Sequence, residues 1–150
     1  MATTSRLGAV IDALVTTLDA GTTVEVYDGF PVTSVAPSDF VIVGGTDDPD
    51  DDGATLDQSW AGLGAKARDE EGEIRCAVIS QSGDTVLKTH RDRALVILGE
   101  LEAAIRADPT LGGVVASGWL HVTGGSLNQQ QNANGSRARI TFTVSYKARI

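Results

Sequence analysis

Arg137-Ala138-Arg139-Ile140-Thr141-Phe142-Thr143-Val144-Ser145-Tyr146-Lys147-Ala148-Arg149-Ile150 is the stretch whose reading decides the fold. Ile140, Phe142, Val144, Tyr146, Ala148 and Ile150 point one way, while Arg139, Thr141, Thr143, Ser145, Lys147 and Arg149 point the other. An alternation of period two, rich in β-branched and aromatic side chains, specifies a strand with one apolar and one polar face. A strand is not stable alone, so the rest of the chain has to supply neighbours and an apolar cover.

The cover is legible upstream. Asp84 to Ala107 reads as a long helix whose Leu87, Ala94, Ile97, Leu98, Leu101 and Ile105 share a broad face, with Pro109 ending it. Ser5 to Ala20 reads as a first helix, capped by Thr3, Thr4 or Ser5 and striped by Leu7, Val10, Ile11, Leu14 and Leu18. Between the helices, Val24 to Tyr27 and Phe40 to Val43 read as short strands. The second lacks alternation and is expected to be the more buried of the two. Asp28-Gly29 closes the first, and Pro31 keeps the following residues extended or turned.

Trp60 to Ala67 and Ile74 to Ser80 read as a hairpin across Arg68-Asp69-Glu70-Glu71-Gly72, with Gly62 and Gly64 marking a bulge or a close approach. Val114 to Val122 reads as a further strand, with Trp119 and His121 on one face and Leu120 and Val122 on the other. Two loops complete the chain and are expected to be flexible: the acidic 46–57 segment and the uncharged, Gln/Asn/Gly-rich 123–136 segment. The expected order is α-β-β-β-β-α-β-β. It describes one α+β domain over 1–150, a mainly antiparallel or mixed sheet with two helices packed on one face.

A chain of 150 residues buries roughly 70% of its extended surface, enough for a core without disulfides or a structural metal. A single cysteine, Cys76, excludes an intrachain disulfide and a four-cysteine zinc site. Neither a basic, apolar leader nor an apolar run near ~20 residues is expected from the sequence, so no signal peptide and no membrane span is read. The net charge of -8 is uneven: ten of the twenty acids fall between Asp47 and Glu73, and none follows Asp108. That polarity disfavours general nucleic-acid binding and suits association between copies or with a partner of mixed charge.

No catalytic constellation emerges. Asp48-x-Asp50-x-Asp52-Gly53 matches the start of a calcium loop, but Thr55 and Ser59 occupy the positions where an apolar residue and the bidentate Glu belong. His90, in the polar part of the long helix, and His121 have no third ligand nearby, and Cys76 alternates with Ile74 and Val78 as a small core residue. No nucleophile elbow or phosphate-binding glycine pattern is present, and Asn134-Gly135-Ser136 reads as a flexible turn. Arg139, Lys147 and Arg149 lack the interleaved aromatics of a single-strand binder, because Phe142 and Tyr146 lie on the other face. No cofactor, metal or sequence-specific nucleic acid is therefore expected.

The chain resembles the tail terminator proteins of long-tailed bacteriophages. The resemblance rests on the capped first helix and Val24-x-Val26-x-Asp28-Gly29-x-Pro31, then Phe40-Val41-Ile42-Val43-Gly44. It continues through Ile74-Arg75-Cys76, the helix carrying Arg91, and Asp108-Pro109-x-Leu111-Gly112-Gly113 before the final hairpin. Neighbouring neck and tail-completion families share the outline. The resemblance implies a non-enzymatic virion protein at the head-proximal end of the tail, assembled in the host cytoplasm. It implies a ring, typically of six copies, that stops tube polymerisation, with the major tail tube protein and a head–tail connector or neck protein as partners. The charge pattern nominates Asp47, Asp48, Asp50, Asp51 and Asp52, or Asp69 to Glu73, with Arg137, Arg139, Lys147 and Arg149 as contacts between copies, and Trp60 or Trp119 and the strand thinned at Gly62 and Gly64 as the apolar contacts. The rival is a small metal-dependent hydrolase using His121 with acids of the 47–57 loop.

Overall fold

The computed structural model describes residues 4–31, 38–64, 66–116 and 119–150. The expectations for Thr3 as a cap and for the residues directly after Pro31 lie outside them. The elements run α1 (Leu7–Gly21), β1 (Glu25–Asp28), β2 (Asp39–Val43), β3 (Ala54–Trp60), β4 (Arg68–Ser82), α2 (Leu87–Ala107), β5 (His121–Asn132) and β6 (Gly135–Arg149). This is the expected order and the expected α+β class.

One six-stranded mixed sheet is built on β4 and β6, two antiparallel strands of 15 residues each. β5 flanks β6. On the other side of β4, two strands lie end to end: β3 pairs Arg68 to Ile74, and β2 pairs Cys76 to Ser80. β1 then adds parallel to β2. At the junction, Arg75 is shared. Its N–H donates to the Gly53 carbonyl, and its carbonyl accepts from the N–H groups of Gly44 and Gly45. A Cβ on Gly53 would sit 2.2 Å from the Gly44 oxygen, so only glycine lets the two strand ends meet.

Both helices cover one face. Val10, Leu14 and Leu18 of α1 and Ala94, Ile97, Leu101 and Ile105 of α2 join Ile140, Phe142, Val144, Tyr146 and Ala148 in the main core. The alternation of β6 is therefore realised on the expected face. β2 is buried on both faces, because Phe40 and Ile42 join Ala77 and Ile79 in a smaller cluster on the far side of the sheet. There the Tyr27 ring packs edge-on against Phe40, with centroids 5.9 Å apart.

Four expectations are corrected. The 123–136 segment is not a loop: it is most of β5, a tight turn and the start of β6. Its Gln, Asn and Gly residues pair with β6 through backbone groups, which need no apolar side chains. The strand expected over 114–122 begins only at His121. The strand expected over Trp60 to Ala67 ends at Trp60, and residues beyond it turn back through a backbone bond from Ala61 to Ala67. Its true body is Ala54–Trp60, which begins inside the 46–57 segment expected as acidic loop. Gly72, expected in a turn, lies mid-strand opposite Tyr146, where a Cβ would approach the ring to 2.2 Å.

Candidate assembly surface

Strand register decides which charges meet. Because β4 and β6 are antiparallel neighbours, Asp69 lies opposite Arg149 and Glu71 opposite Lys147 on the face away from the helices. Arg149 grips Asp69 through two bonds, Nε to Oδ1 at 2.8 Å and Nη2 to Oδ2 at 3.2 Å. Those hydrogen bonds hold the Asp69 carboxyl below its ordinary range and raise the Arg149 guanidinium. Lys147 Nζ reaches Glu71 at 2.6 Å and also stands 4.1 Å from the centre of the Trp119 ring. These groups are solvent-facing, so their contribution to stability is small and salt-sensitive.

Further along β6, the acidic segment folds over the same face. Asp47 sits between Arg137 Nη2, at 3.0 Å, and Arg139 Nη1, at 2.5 Å. The Nε atoms of both arginines are buried without a partner. Thr46 anchors the segment: it is buried, donates its hydroxyl to Asp51 at 2.7 Å and accepts the Asp48 N–H at 3.2 Å. Asp48 in turn accepts the Asp50 N–H at 2.9 Å. The carboxylates that imitate a calcium loop thus brace their own turn. Among the described residues, no group of three or more His, Cys, Asp and Glu side chains is arranged to hold a metal ion.

The nominated residues therefore separate. Asp47, Arg137, Arg139, Lys147 and Arg149 are paired within one chain. Asp48, Asp50, Asp51 and Asp52 are exposed, with no ion pair among the described residues, and Trp60 is exposed at the end of β3. His121, Asp57, Glu71, Glu73, Trp119 and Lys147 share a shallow cavity on the open face. That brings one acid of the rival's constellation near its histidine, although no hydrogen bond joins His121 to a carboxylate among the described residues.

Sequence reasoning missed two buried polar clusters. Glu70, expected in the hairpin turn Arg68 to Gly72, is fully buried on the helix side of β4. Its carboxylate accepts the Tyr146 hydroxyl at 2.7 Å, Gln58 Nε2 at 2.6 Å and the Arg6 N–H at 3.1 Å, where α1 begins. A carboxylate at that helix start satisfies an orphan N–H and favours the macrodipole. Burial pushes the Glu70 carboxyl up, but the bonds from Tyr146, Gln58, Ser5 and the Arg6 backbone outweigh it and leave the group below its ordinary 4.5. Burial and the bond to Glu70 raise the Tyr146 phenol.

His90 is not on a polar surface either. It is buried between Ser80 Oγ, 3.0 Å from Nδ1, and Ser82 Oγ, 3.0 Å from Nε2. The alternation Glu70, Gly72, Ile74, Cys76, Val78, Ser80 was the available signal, since it places Glu70 and Ser80 on the core face.

Exposed apolar side chains include Leu56 and Trp60 on β3 and Leu127 on β5, both outer strands of the sheet, with Phe30, Leu63, Val86, Leu95, Val96 and Trp119 elsewhere on the surface. The fold defines an α+β chain in which, among the described residues, no strand pairs the outer sides of β1, β3 and β5. No family model matches the chain, and no curated protein is significantly similar to it. Among solved structures, a chain from the virion of native gene transfer agent (GTA) particle is similar over 97% of this chain and 100% of that chain, at 15% identity and a TM-score of 0.45.

Proposed function

We propose that this chain is a structural protein of a phage-like virion that caps the head-proximal end of the tail tube as a ring of copies, six being the family-typical number. The ring ends tube polymerisation and presents a surface to the head connector or neck protein. The motif order described above suggests the family. The observation that carries an assembly role is the pair of uncovered sheet edges, each with apolar side chains in solvent. Apolar groups collected at unpaired edges favour association. The polar clusters, by contrast, are engaged within the chain and brace the fold: Asp47 clasps β6, Glu70 ties α1 to the sheet, and His90 ties α2 to β4. Asp48, Asp50, Asp51, Asp52 and Trp60 are the nominated residues left to contact a neighbour. Arg137, Arg139, Lys147 and Arg149 would do so as ion pairs shared with Asp47, Glu71 and Asp69.

The test is native mass measurement over a concentration series, joined to tube assembly with purified tube protein of the same particle. The expected result is a closed ring, recruited to tube ends, that fixes tube length and restores head joining. A chain that stays monomeric in the presence of tube ends and leaves tube length unchanged would refute the reading.

A further inference from the structure

Of the three outer strands of the sheet, β1, β3 and β5, the free edges of β3 and β5 are complementary to each other. β5 is the outermost strand beyond β6, and β3 pairs only with β4. Natural proteins blunt such edges with charge, proline or brevity. β5 has none of these: twelve residues, His121 to Asn132, carry no Asp, Glu, Lys, Arg or Pro. All but Val122 are exposed.

The apolar groups at both edges point to one side of the sheet. Leu127 lies opposite Ile140, and Leu56 opposite Gly72, in register with the core-facing side chains of β6 and β4. Trp60 is on the same face as Leu56 by period two. Leu95 belongs to this side as well: it lies one helical turn beyond Arg91, whose guanidinium reaches Gln129 of β5 at 3.4 Å. Leu127 is 45% exposed, Leu95 51%, Leu56 41% and Trp60 69%. An edge without charge, flanked by leucines, thus has its counterpart on the other side of the same chain. The single charge of β3, Asp57, is on the opposite face, where β5 presents Ser126 and Asn128.

We propose that β5 of one copy pairs with β3 of the next, continuing the sheet across the subunit boundary and seating Leu56 and Trp60 of one copy against Leu127 and Leu95 of the other. This deepens the ring reading and rests on it. The contact is head-to-tail, so it closes into a ring when the rotation per subunit allows and otherwise grows as an open chain. The occupant is a second copy because the complementary edge is part of this chain.

The test uses the full chain with Leu127→Cys in one preparation and Leu56→Cys in another, joined by a short bismaleimide. Cys76 does not interfere, since it is fully buried and its thiol is pushed up to about 12. Cross-linked dimers are expected in the mixture and not in either preparation alone. The double variant should give a ladder ending at the ring number. A surface control, Asp19→Cys with Leu127→Cys, should stay uncross-linked. In parallel, Leu127→Lys should raise the concentration needed for half-assembly roughly ten-fold or more while leaving thermal unfolding unchanged.

Closed rings that neither cross-link at these positions nor respond to Leu127→Lys would overturn the edge pairing and leave the ring standing. Cross-linking into open chains alone would uphold the edge pairing and remove the ring cap. Cross-linking only to another virion protein would overturn the second copy as occupant. Monomers at every concentration would overturn both.

Discussion

Replacing Glu70 isolates the buried carboxylate that joins β4, β6 and α1. Its side chain is fully buried and accepts hydrogen bonds from Tyr146, Gln58 and the Arg6 backbone. Glu70→Ala removes the acceptor for three donors and leaves a space. Hydrogen bonds to a charged group are worth about 1.5–3 kcal/mol each, and an orphaned buried donor costs about 1–3 kcal/mol. Gln58 also donates to the Thr4 carbonyl, and the exposed segment around Arg6 can reach water, so the three do not add fully. The expected loss is about 3–5 kcal/mol, to be read from the urea midpoint at pH 7 with an unchanged slope.

Glu70→Gln keeps the shape and adds a sign test. The folded carboxyl lies below 4.5, so the unfolded chain binds its proton first as pH falls. Wild-type stability from this group is complete above the unfolded value and is lost as pH drops through the folded one. The gap between wild type and Glu70→Gln should therefore narrow between pH 5 and pH 3. Other carboxylates are common to both proteins and cancel. A loss under ~1 kcal/mol for Glu70→Ala, against the cost just worked out, or an equal gap at both pH values, would refute an ionised, fully satisfied Glu70.

Three further outcomes follow from the packing. Phe142→Ala should cost about 3–5 kcal/mol in chemical unfolding, since the ring is buried at the centre of the main core. Gly72→Ala should cost about 1–3 kcal/mol because the new methyl meets the Tyr146 ring, and Tyr146→Leu should recover part of the loss in a double-mutant cycle. Cys76 should resist a maleimide in native buffer and react on unfolding, as its burial and raised thiol require.

The elements legible in the sequence are those that bury one face. β6, α1 and α2 carry apolar side chains at period two or 3.6, and each has most of its expected residues in or against the core, Leu87 and Ile150 excepted. β3 and β5 carry no such pattern because they are exposed, and backbone pairing alone leaves no trace in side-chain type. A run such as Ser126-Leu127-Asn128-Gln129-Gln130-Gln131 therefore reads as a loop although every residue pairs with β6. Glycines mislead in the same way. Gly53 imitates a metal-loop position and Gly72 a turn, yet each serves a close approach between groups distant in sequence, Gly53 to Gly44 and Gly72 to Tyr146.

The charge pattern shows how far composition reaches. An acidic middle and a basic end suggest a contact between copies, but antiparallel pairing of β4 with β6 already lays the two runs side by side. Asp69 meets Arg149 and Glu71 meets Lys147 as direct cross-strand neighbours, and Asp47 reaches Arg137 and Arg139 from the segment folded above them. The basic end is thus paired within one subunit, while Asp48, Asp50, Asp51 and Asp52 of the acidic run are not, among the described residues, and surface ion pairs add little affinity wherever they form. Exposed apolar groups lie at two margins of the sheet, Leu56 and Trp60 at the β3 edge and Leu127 with Leu95 at the β5 edge. Affinity between copies has to come from area removed from water, and the edges are where this chain offers it. In the proposed contact, the exposed Asp48, Asp50, Asp51 and Asp52, close to the β3 edge in sequence, would set which orientation of a neighbour is tolerated, through repulsion more than attraction.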